Sequence, residues 1–340
     1  MTALRTARHL LAAGAAVVAL AGGAITAAAA EPTKVSFITS WKAQAEHGGY
    51  YQALAKGYFA KHGVDVTIRM GGPGVNNAQL VAAGAVDFAM GSNNDYAHNL
   101  QKEGADIVAV MAGFQKIPQI LMSHKGVYAS LESMKGKPIM IAAGSIGTFW
   151  PFLRAKYGYD DAQIRKYTFN LAPFLTDKTA IQQGYLSSET FMARKEGVEP
   201  DVWLLADAGY GTYASLTLVP RKWIAENPAA VKGFVEASIE GWYDYLYGDP
   251  TPGNVLIRKD NPDMGDDVIA FAIAQMKAHG IVDGGDAAKL GIGAMSDARW
   301  KEHFDALVSY GLLPKDADYK KAFSLDFVNK GYGMEMKPRS

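Results

Sequence analysis

Aromatic and polar side chains follow the first segment that has the pattern of a buried strand, residues 34–39. Trp41 comes shortly after it, and His47 and Tyr50 lie at the start of the next predicted helix. An indole or phenol ring can stack on a flat ligand, and an imidazole can donate or accept a hydrogen bond. We therefore predict that Trp41, His47 and Tyr50 line a binding cleft. The alternative is that Trp41 is a core aromatic residue and His47 a surface or capping residue.

Short polar side chains follow another predicted strand, residues 86–90. Ser92 and Asn93 lie in a turn that leads into a helix. Either side chain is suited to cap that helix by accepting a hydrogen bond from a backbone N–H. A capped helix start can still offer one polar atom to a ligand, so we also expect a ligand contact from Ser92 or Asn93.

The segment 144–148 (GSIGT) precedes a predicted helix and combines free backbone N–H groups with two hydroxyls, those of Ser145 and Thr148. Trp150 follows within one turn. Such a segment can hold a carboxylate, phosphate or carbonyl oxygen. It lacks the Gly-Lys-Ser/Thr ending of a P-loop, which argues against nucleotide hydrolysis. We predict that Ser145, Thr148 and Trp150 form a wall of the cleft.

Tyr185 begins a further predicted strand, Ser188 and Glu189 follow that strand, and Gln115 and Tyr210 complete the candidate ligand-binding set. Acidic residues are also common at helix starts without any ligand, because the helix N-terminus favours negative charge. If Glu189 faces the cleft, its carboxylate prefers a hydrogen-bond donor such as an exocyclic amine.

The residue patterns that indicate catalysis or metal binding are missing. The seven histidines are scattered, without an H-x-x-H or H-E-x-x-H pair, and the chain has no cysteine. The nucleophile elbow G-x-S-x-G of serine hydrolases does not occur. We expect no catalytic residue, no metal and no cofactor.

The N-terminal thirty residues have the pattern of an export signal. Arg5, Arg8 and His9 form a basic start, residues 10–24 form an apolar run of small residues, and alanines 28–30 supply a cleavage signature. We expect cleavage near Ala30 and a periplasmic mature protein.

Charge is balanced, with 34 basic and 34 acidic residues and no long run of either sign. Nucleic acid and anionic membrane surfaces are therefore poor partners. We expect a monomer that binds a small molecule.

Predicted strands alternate with predicted helices in two successive units, which is typical of parallel-rich sheets covered by helices. Further strands are predicted at residues 64–70, 107–111, 138–142, 167–170, 185–187 and 202–205, and from Arg221 the pattern is helical. We predict a two-lobed α/β fold in which the chain crosses between lobes near residues 119–123 and 214–220. Lobe one comprises residues 31–121 and 217–340, and lobe two comprises residues 122–216. Ligands of open parallel sheets bind beyond the carboxyl ends of the strands, so the cleft should lie between the lobes.

Several stretches together resemble the periplasmic binding proteins of ABC importers, in the group that binds nitrate, taurine, sulfonates and thiamine-pyrimidine precursors. They are residues 41–51 (WKAQAEHGGYY), 55–59 (AKGYF), 63–66 (GVDV), 80–90 (LVAAGAVDFAM), 114–121 (FQKIPQIL), 184–190 (GYLSSET) and 226–243. The pyrimidine-precursor branch is the most similar, and Glu189 matches a ligand-facing position there. That branch shares its fold with eukaryotic pyrimidine synthases, which use a cysteine-rich iron segment that this chain lacks.

The resemblance implies a protein that closes around a small ligand and delivers it to an ABC permease with its cytoplasmic ATPase. Because the candidate wall is aromatic and contains few Lys or Arg, a planar heterocycle such as a thiamine-pyrimidine precursor fits better than a bare anion. The alternatives are a sulfonate, taurine or nitrate binder of the same fold and, in a different class, a pyrimidine-synthase-like enzyme.

Overall fold

The structure, a computed structural model, describes residues 31–72, 75–167 and 170–338. The predicted signal at residues 1–30 lies outside the described residues. From Pro32 onward the chain forms one compact unit that contains two sheets. None of the helices in the described ranges is long and apolar enough to cross a membrane.

The first sheet has the strand order β2-β1-β3-β10-β4. Strand β1 pairs in parallel with β2 and β3, whereas β10 lies antiparallel between β3 and β4. The five strands are β1 (Thr33–Ile38), β2 (Val64–Arg69), β3 (Phe88–Asn93), β4 (Ile107–Phe114) and β10 (Ala214–Pro220).

The second sheet repeats this arrangement with the order β7-β6-β8-β5-β9. Strand β6 pairs in parallel with β7 and β8, and β5 lies antiparallel between β8 and β9. The five strands are β5 (Gln119–His124), β6 (Ile139–Ile141), β7 (Ile164–Lys166), β8 (Ile181–Tyr185) and β9 (Pro200–Leu204). The antiparallel strand of each sheet is the one by which the chain arrives from the other sheet.

Thirteen α-helices are found in the described ranges. They are α1 (Gly48–Ala55), α2 (Tyr58–Lys61), α3 (Asn77–Ala82), α4 (Asn94–Lys102), α5 (Phe149–Tyr157), α6 (Ala172–Thr176), α7 (Glu189–Lys195), α8 (Arg221–Glu226), α9 (Pro228–Tyr247), α10 (Thr251–Asp260), α11 (Asp266–Ala278), α12 (Ala287–Leu290) and α13 (Asp297–Ser309). The predicted helical C-terminal region, α8 to α13, is confirmed.

Four predicted elements need correction. Residues 119–123 and 214–220 were expected only to cross between lobes, but they form β5 and β10, because each segment is buried between two strands of its sheet. The strand expected at residues 185–187 lies earlier, at Ile181–Tyr185, and Ser187 is in the turn that follows. The strand expected at residues 167–170 lies at Ile164–Lys166, and residues 168 and 169 are outside the described ranges.

The core beside the first sheet depends on a close crossing of α1 and α9. A Cβ added to Gly49 would lie 2.2 Å from the Trp242 ring, and one added to Gly241 would lie 2.1 Å from the Gly49 carbonyl oxygen. Real Cβ atoms do not approach other atoms so closely, so both positions require glycine. This crossing fixes the start of α1, and with it the segment that connects β1 to α1.

Candidate ligand-binding site

A cleft with a volume of about 960 Å³ lies at the carboxyl-terminal ends of strands from both sheets. One wall comes from segments that follow β1, β2 and β3. The other comes from segments that follow β6, β7 and β8. The equivalent places in the two sheets thus face one cleft, which is the position expected for ligand sites in open α/β sheets.

The segment that connects β1 to α1 contributes Trp41, Glu46 and His47 to the first wall. Residues Ala45–His47 form a single 3-10 turn directly before α1, and only 2% of Glu46 and of His47 is exposed. Burial raises the pKa of Glu46 to about 7, with an opposing contribution from the Ser187 hydrogen bond. Burial also lowers the pKa of His47 to about 3, so this imidazole is neutral at pH 7.

Asn77, at the start of α3, also lines the first wall. Its amide Nδ2 donates to the carbonyl oxygens of Thr39 (3.0 Å) and Met90 (3.2 Å), which fixes the orientation of the amide. Within the described ranges, the buried atoms Asn77 Oδ1, Glu46 Oε2 and His47 Nδ1 have no hydrogen-bond partner. Buried polar atoms normally have partners, so these three are candidates for ligand contact.

Ser92 and Asn93, at the end of β3, complete this wall. Asn93 caps α4, because its Oδ1 accepts from the Tyr96 backbone N–H at 3.2 Å. Its Nδ2 donates to the Tyr210 hydroxyl at 2.8 Å and to Asp95 Oδ2 at 3.1 Å. The capping role is therefore confirmed for Asn93, and both ends of its amide already have protein partners.

The second wall begins with the segment between β6 and α5. Residues Ala143–Ser145 form a 3-10 turn, and Ser145, Thr148 and Phe149 line the cleft. The Thr148 hydroxyl donates to the Ser145 carbonyl at 3.3 Å. Gln183, on β8, accepts from the Ala142 backbone N–H at 2.7 Å, which ties this segment to the sheet.

Glu189, at the start of α7, lines the second wall and folds back onto the end of β8. Its Oε1 accepts from the Tyr167 hydroxyl at 3.1 Å. Its Oε2 accepts from the Tyr185 backbone N–H and the Ser188 hydroxyl, both at 2.7 Å. Gly184 leaves room for this arrangement, since an added Cβ there would lie 2.9 Å from Glu189. Both carboxylate oxygens are thus held by the protein.

Nine of the thirteen predicted ligand-binding residues line the cleft: Trp41, His47, Ser92, Asn93, Ser145, Thr148, Tyr185, Ser188 and Glu189. Their contacts with a ligand remain predictions. Gln115, Tyr50, Trp150 and Tyr210 are not among the residues that line it.

Tyr50 and Trp150 are packed into cores instead. Tyr50 is fully buried against Phe37, with ring centroids 4.8 Å apart, and its hydroxyl lies 3.1 Å from Thr217 Oγ1. Trp150 donates its indole N–H to Asp161 at 2.8 Å. Trp150 therefore does not line the cleft opposite Trp41.

Gln115 and Tyr210 lie in the two segments that connect the sheets. Gln115 donates to the Ala294 carbonyl at 2.7 Å and faces a separate cavity of about 310 Å³ beside Arg299. Tyr210 donates to the buried carboxylate of Asp95. Both side chains fasten the connections rather than line the cleft.

Glu46, Asn77, Gln119, Lys166, Tyr167 and Gln183 line the cleft but were not predicted from the sequence. The sequence carried a signal for Glu46, since it precedes His47 in a segment already singled out. Lys166 is the one Lys or Arg among the residues that line the described cleft. In the described ranges, no group of three or more His, Cys, Asp or Glu is placed to share a metal ion.

The chain belongs to the NMT1/THI5-like family, which its residues 44–252 match. Its fold is that of the periplasmic binding proteins. The aliphatic sulphonate binding protein SsuA of Escherichia coli superposes with a TM-score of 0.64 at 15% identity, over 86% of this chain and 92% of that one.

Two curated relatives bear names from different functional classes. The riboflavin-binding protein RibY of Chloroflexus aurantiacus is 27% identical over 314 residues, which is 89% of this chain and 88% of that protein. The 4-amino-5-hydroxymethyl-2-methylpyrimidine phosphate synthase of Candida albicans is 26% identical over 241 residues, covering 64% and 68%. The resemblance expected from the sequence is confirmed at the level of family and fold.

Proposed function

We propose that this protein is the exported solute-binding component of an ABC importer and that it captures a planar heterocycle in the cleft between two lobes. The lobes are those predicted from the sequence, residues 31–121 with 217–340 and residues 122–216. The predicted signal at residues 1–30 places the protein in the periplasm, where its partner is the permease.

The lining of the cleft is the observation that carries this proposal. Both walls supply aromatic rings, with Trp41 and Tyr96 on the first and Phe149, Tyr167 and Tyr185 on the second. Ligand pockets of this kind combine aromatic walls with a few fixed polar groups. The polar groups here include the Glu46 and Asn77 atoms described above.

The size of the cleft favours a large heterocycle. Its volume of about 960 Å³ is near the top of the range of about 300–1,000 Å³ found for small-molecule sites. A single pyrimidine ring fills little of that space, whereas a fused-ring ligand with a polar chain fills more. The extended similarity to a protein named for riboflavin binding supports the same choice. We therefore place flavins first and thiamine-pyrimidine precursors second.

The charges argue against a sulfonate or nitrate. Among the described residues that line the cleft, Glu46 and Glu189 are the carboxylates and Lys166 is the one Lys or Arg. A small anion is normally held by several cationic groups or convergent N–H donors. A neutral or weakly basic ligand suits this balance of charges.

The competing function is pyrimidine synthesis, because two curated relatives are named as synthases. This chain has no cysteine, so it lacks the cysteine-rich iron segment that the resemblance associates with those enzymes. We propose that the protein binds and releases its ligand without changing it.

Calorimetry with a panel of ligands tests the proposal. The panel contains riboflavin, lumiflavin, a hydroxymethylpyrimidine, taurine and nitrate. We expect tight binding of a heterocycle, riboflavin first, and its recovery unchanged after denaturation of the protein. Selective binding of taurine or nitrate, or formation of a hydroxymethylpyrimidine phosphate by the purified protein, would contradict it.

A further inference from the structure

Glu46 is a buried carboxylate that joins the two walls of the cleft. Its Oε1 accepts a hydrogen bond from the Ser187 hydroxyl, which belongs to the turn after β8 on the opposite wall. Its Oε2 has no partner within the parts of the chain that the structure describes. One oxygen of the carboxylate therefore accepts a hydrogen bond from the protein, and the other accepts none from the described residues.

The groups around Glu46 do not neutralise its charge. The interactions that act on the carboxyl are burial, the Ser187 hydrogen bond, its own backbone and the negative charge of Glu189. Tyr185 and Tyr245 also interact electrostatically with the Glu46 carboxylate. Among the described residues, no Lys or Arg contributes to this set. An unpaired buried carboxylate is costly unless donors reach it.

The other cleft carboxylate behaves differently. Both oxygens of Glu189 accept from protein donors at 2.7–3.1 Å, as described above. Glu189 therefore shapes the wall, whereas Glu46 retains an oxygen for another donor. His47 Nδ1 and Asn77 Oδ1, also unpartnered in the described ranges, lie along the same wall.

We propose that Glu46 is a specificity-determining residue, whose Oε2 accepts a hydrogen bond from an N–H or O–H group of the bound heterocycle while Oε1 holds Ser187. This inference rests on the proposed function. It adds that the ligand must present a donor at the first wall. A ligand that offers only acceptors there would leave the carboxylate unpaired and be rejected.

Two substitutions separate ligand recognition from a purely structural link between the walls. Glu46→Gln preserves shape and can still accept from Ser187, but it turns the free oxygen into an N–H₂ donor that faces the ligand donor. We expect it to weaken riboflavin binding at least tenfold. Ser187→Ala removes the hydrogen bond between the walls and leaves Glu46 Oε2 intact, so it should weaken riboflavin binding less than Glu46→Gln does. Glu302→Gln, on the exposed face of α13, is the matched control for charge and should leave affinity unchanged.

Modified flavins identify the donor. Riboflavin donates through the ring N3–H and the ribityl hydroxyls, so 3-methylriboflavin and lumiflavin between them remove every donor. One of these probes should bind the wild type much more weakly than riboflavin does. For that probe, the fold-loss of affinity relative to riboflavin should be at least ten times larger in the wild type than in Glu46→Gln. Thermal unfolding and circular dichroism of each variant check that it is folded.

The outcomes distinguish this inference from the proposed function. If the wild type binds no member of the ligand panel, both fall together. If the wild type binds riboflavin and Glu46→Gln binds it equally well, the inference alone is overturned. A loss confined to Ser187→Ala would also overturn it, because Glu46 would then act only as a link between the walls.

Discussion

The two walls of the cleft occupy equivalent places in two sheets of the same strand order, yet their polar groups are used differently. On the first wall, Glu46 Oε2, His47 Nδ1 and Asn77 Oδ1 have no partner in the part of the chain that the structure describes. On the second wall, the Glu189 carboxylate and the Gln183 side-chain carbonyl both accept from protein donors.

This difference suggests a division of roles. A wall whose polar groups are already paired is rigid and supplies shape, because breaking its hydrogen bonds is costly. A wall with unpaired buried groups gains free energy when a ligand supplies the partners. We therefore expect the first wall to select the ligand and the second to close over it.

Trp150→Ala tests the structural role of the second wall and should have the largest effect. The indole is 1% exposed, packs beside Tyr159 and donates to Asp161. Truncating a buried Trp typically costs about 3–5 kcal/mol of unfolding free energy. Urea unfolding should show this loss, while calorimetry on the folded fraction shows nearly unchanged affinity.

The matched substitution Trp150→Phe keeps a ring but removes the N–H donor, and we expect it to lose less stability than Trp150→Ala. A variant that kept its stability and lost its affinity would contradict the assignment of Trp150 to the core.

Trp150 also illustrates what the sequence could and could not predict about the site. The sequence placed residues 144–150 at the end of a strand beside the cleft, and Ser145 and Thr148 do line it. Successive residues of a helix point about 100° apart, so Phe149 faces the cleft and Trp150 faces the core. The choice between these two neighbours depends on the rotation of α5, which tertiary packing decides.

The fold was easier to predict from the sequence than the site, because the alternation of strands and helices is a local signal. The antiparallel placement of β10 is not local. Residues 214–220 pair with β3 and β4, a hundred or more residues earlier in the chain. Glu46 was missed for a related reason, since its link to Ser187 joins segments 141 residues apart.

Stability measured against pH tests whether Glu46 is buried without a cation. Its pKa is about 7 in the folded protein and 4.5 as the ordinary value, so between these values the folded state binds the extra proton. Stability attributable to this group is present at low pH and is lost as pH rises through 7. The unfolding free energy of Glu46→Gln relative to the wild type should therefore increase by about 3 kcal/mol between pH 4.5 and 7.

His47 contributes to the pH dependence of stability with the opposite sign, because its pKa is lowered to about 3. This contribution cancels when the wild type is compared with Glu46→Gln, since both proteins contain His47. Glu302→Gln should give a flat difference over the same range. A flat difference for Glu46→Gln as well would mean that the carboxylate is solvated.

Trp41→Ala tests the selective role of the first wall. Trp41 lines the cleft directly after β1. Loss of a ring that covers a planar ligand should cost about 2–3 kcal/mol of binding free energy, on the order of a hundredfold in affinity. Calorimetry with riboflavin measures it. Trp203→Ala, a half-buried Trp on β9 that does not line the cleft, is the control. Equal losses in the two variants would remove the distinction between cleft and scaffold.

The smallest expected effect concerns the contact between α7, which starts at the second wall, and α11 of the C-terminal region. Lys195 and Asp267 form an ion pair at 2.7 Å, next to the Phe191 and Phe271 rings, whose centroids are 5.1 Å apart. Half or more of each charged side chain is exposed, so solvent screens the pair and its contribution to the free energy should be small. If closure of the second wall brings these helices together, the two side chains should contribute jointly to ligand affinity. A double-mutant cycle with Lys195→Ala and Asp267→Ala should then show a small coupling free energy of ligand binding, and 1 M salt should remove it. The same coupling in the unfolding free energy of the ligand-free protein would show that the contact also exists without ligand. Closure of the second wall would then not be part of the difference between the walls.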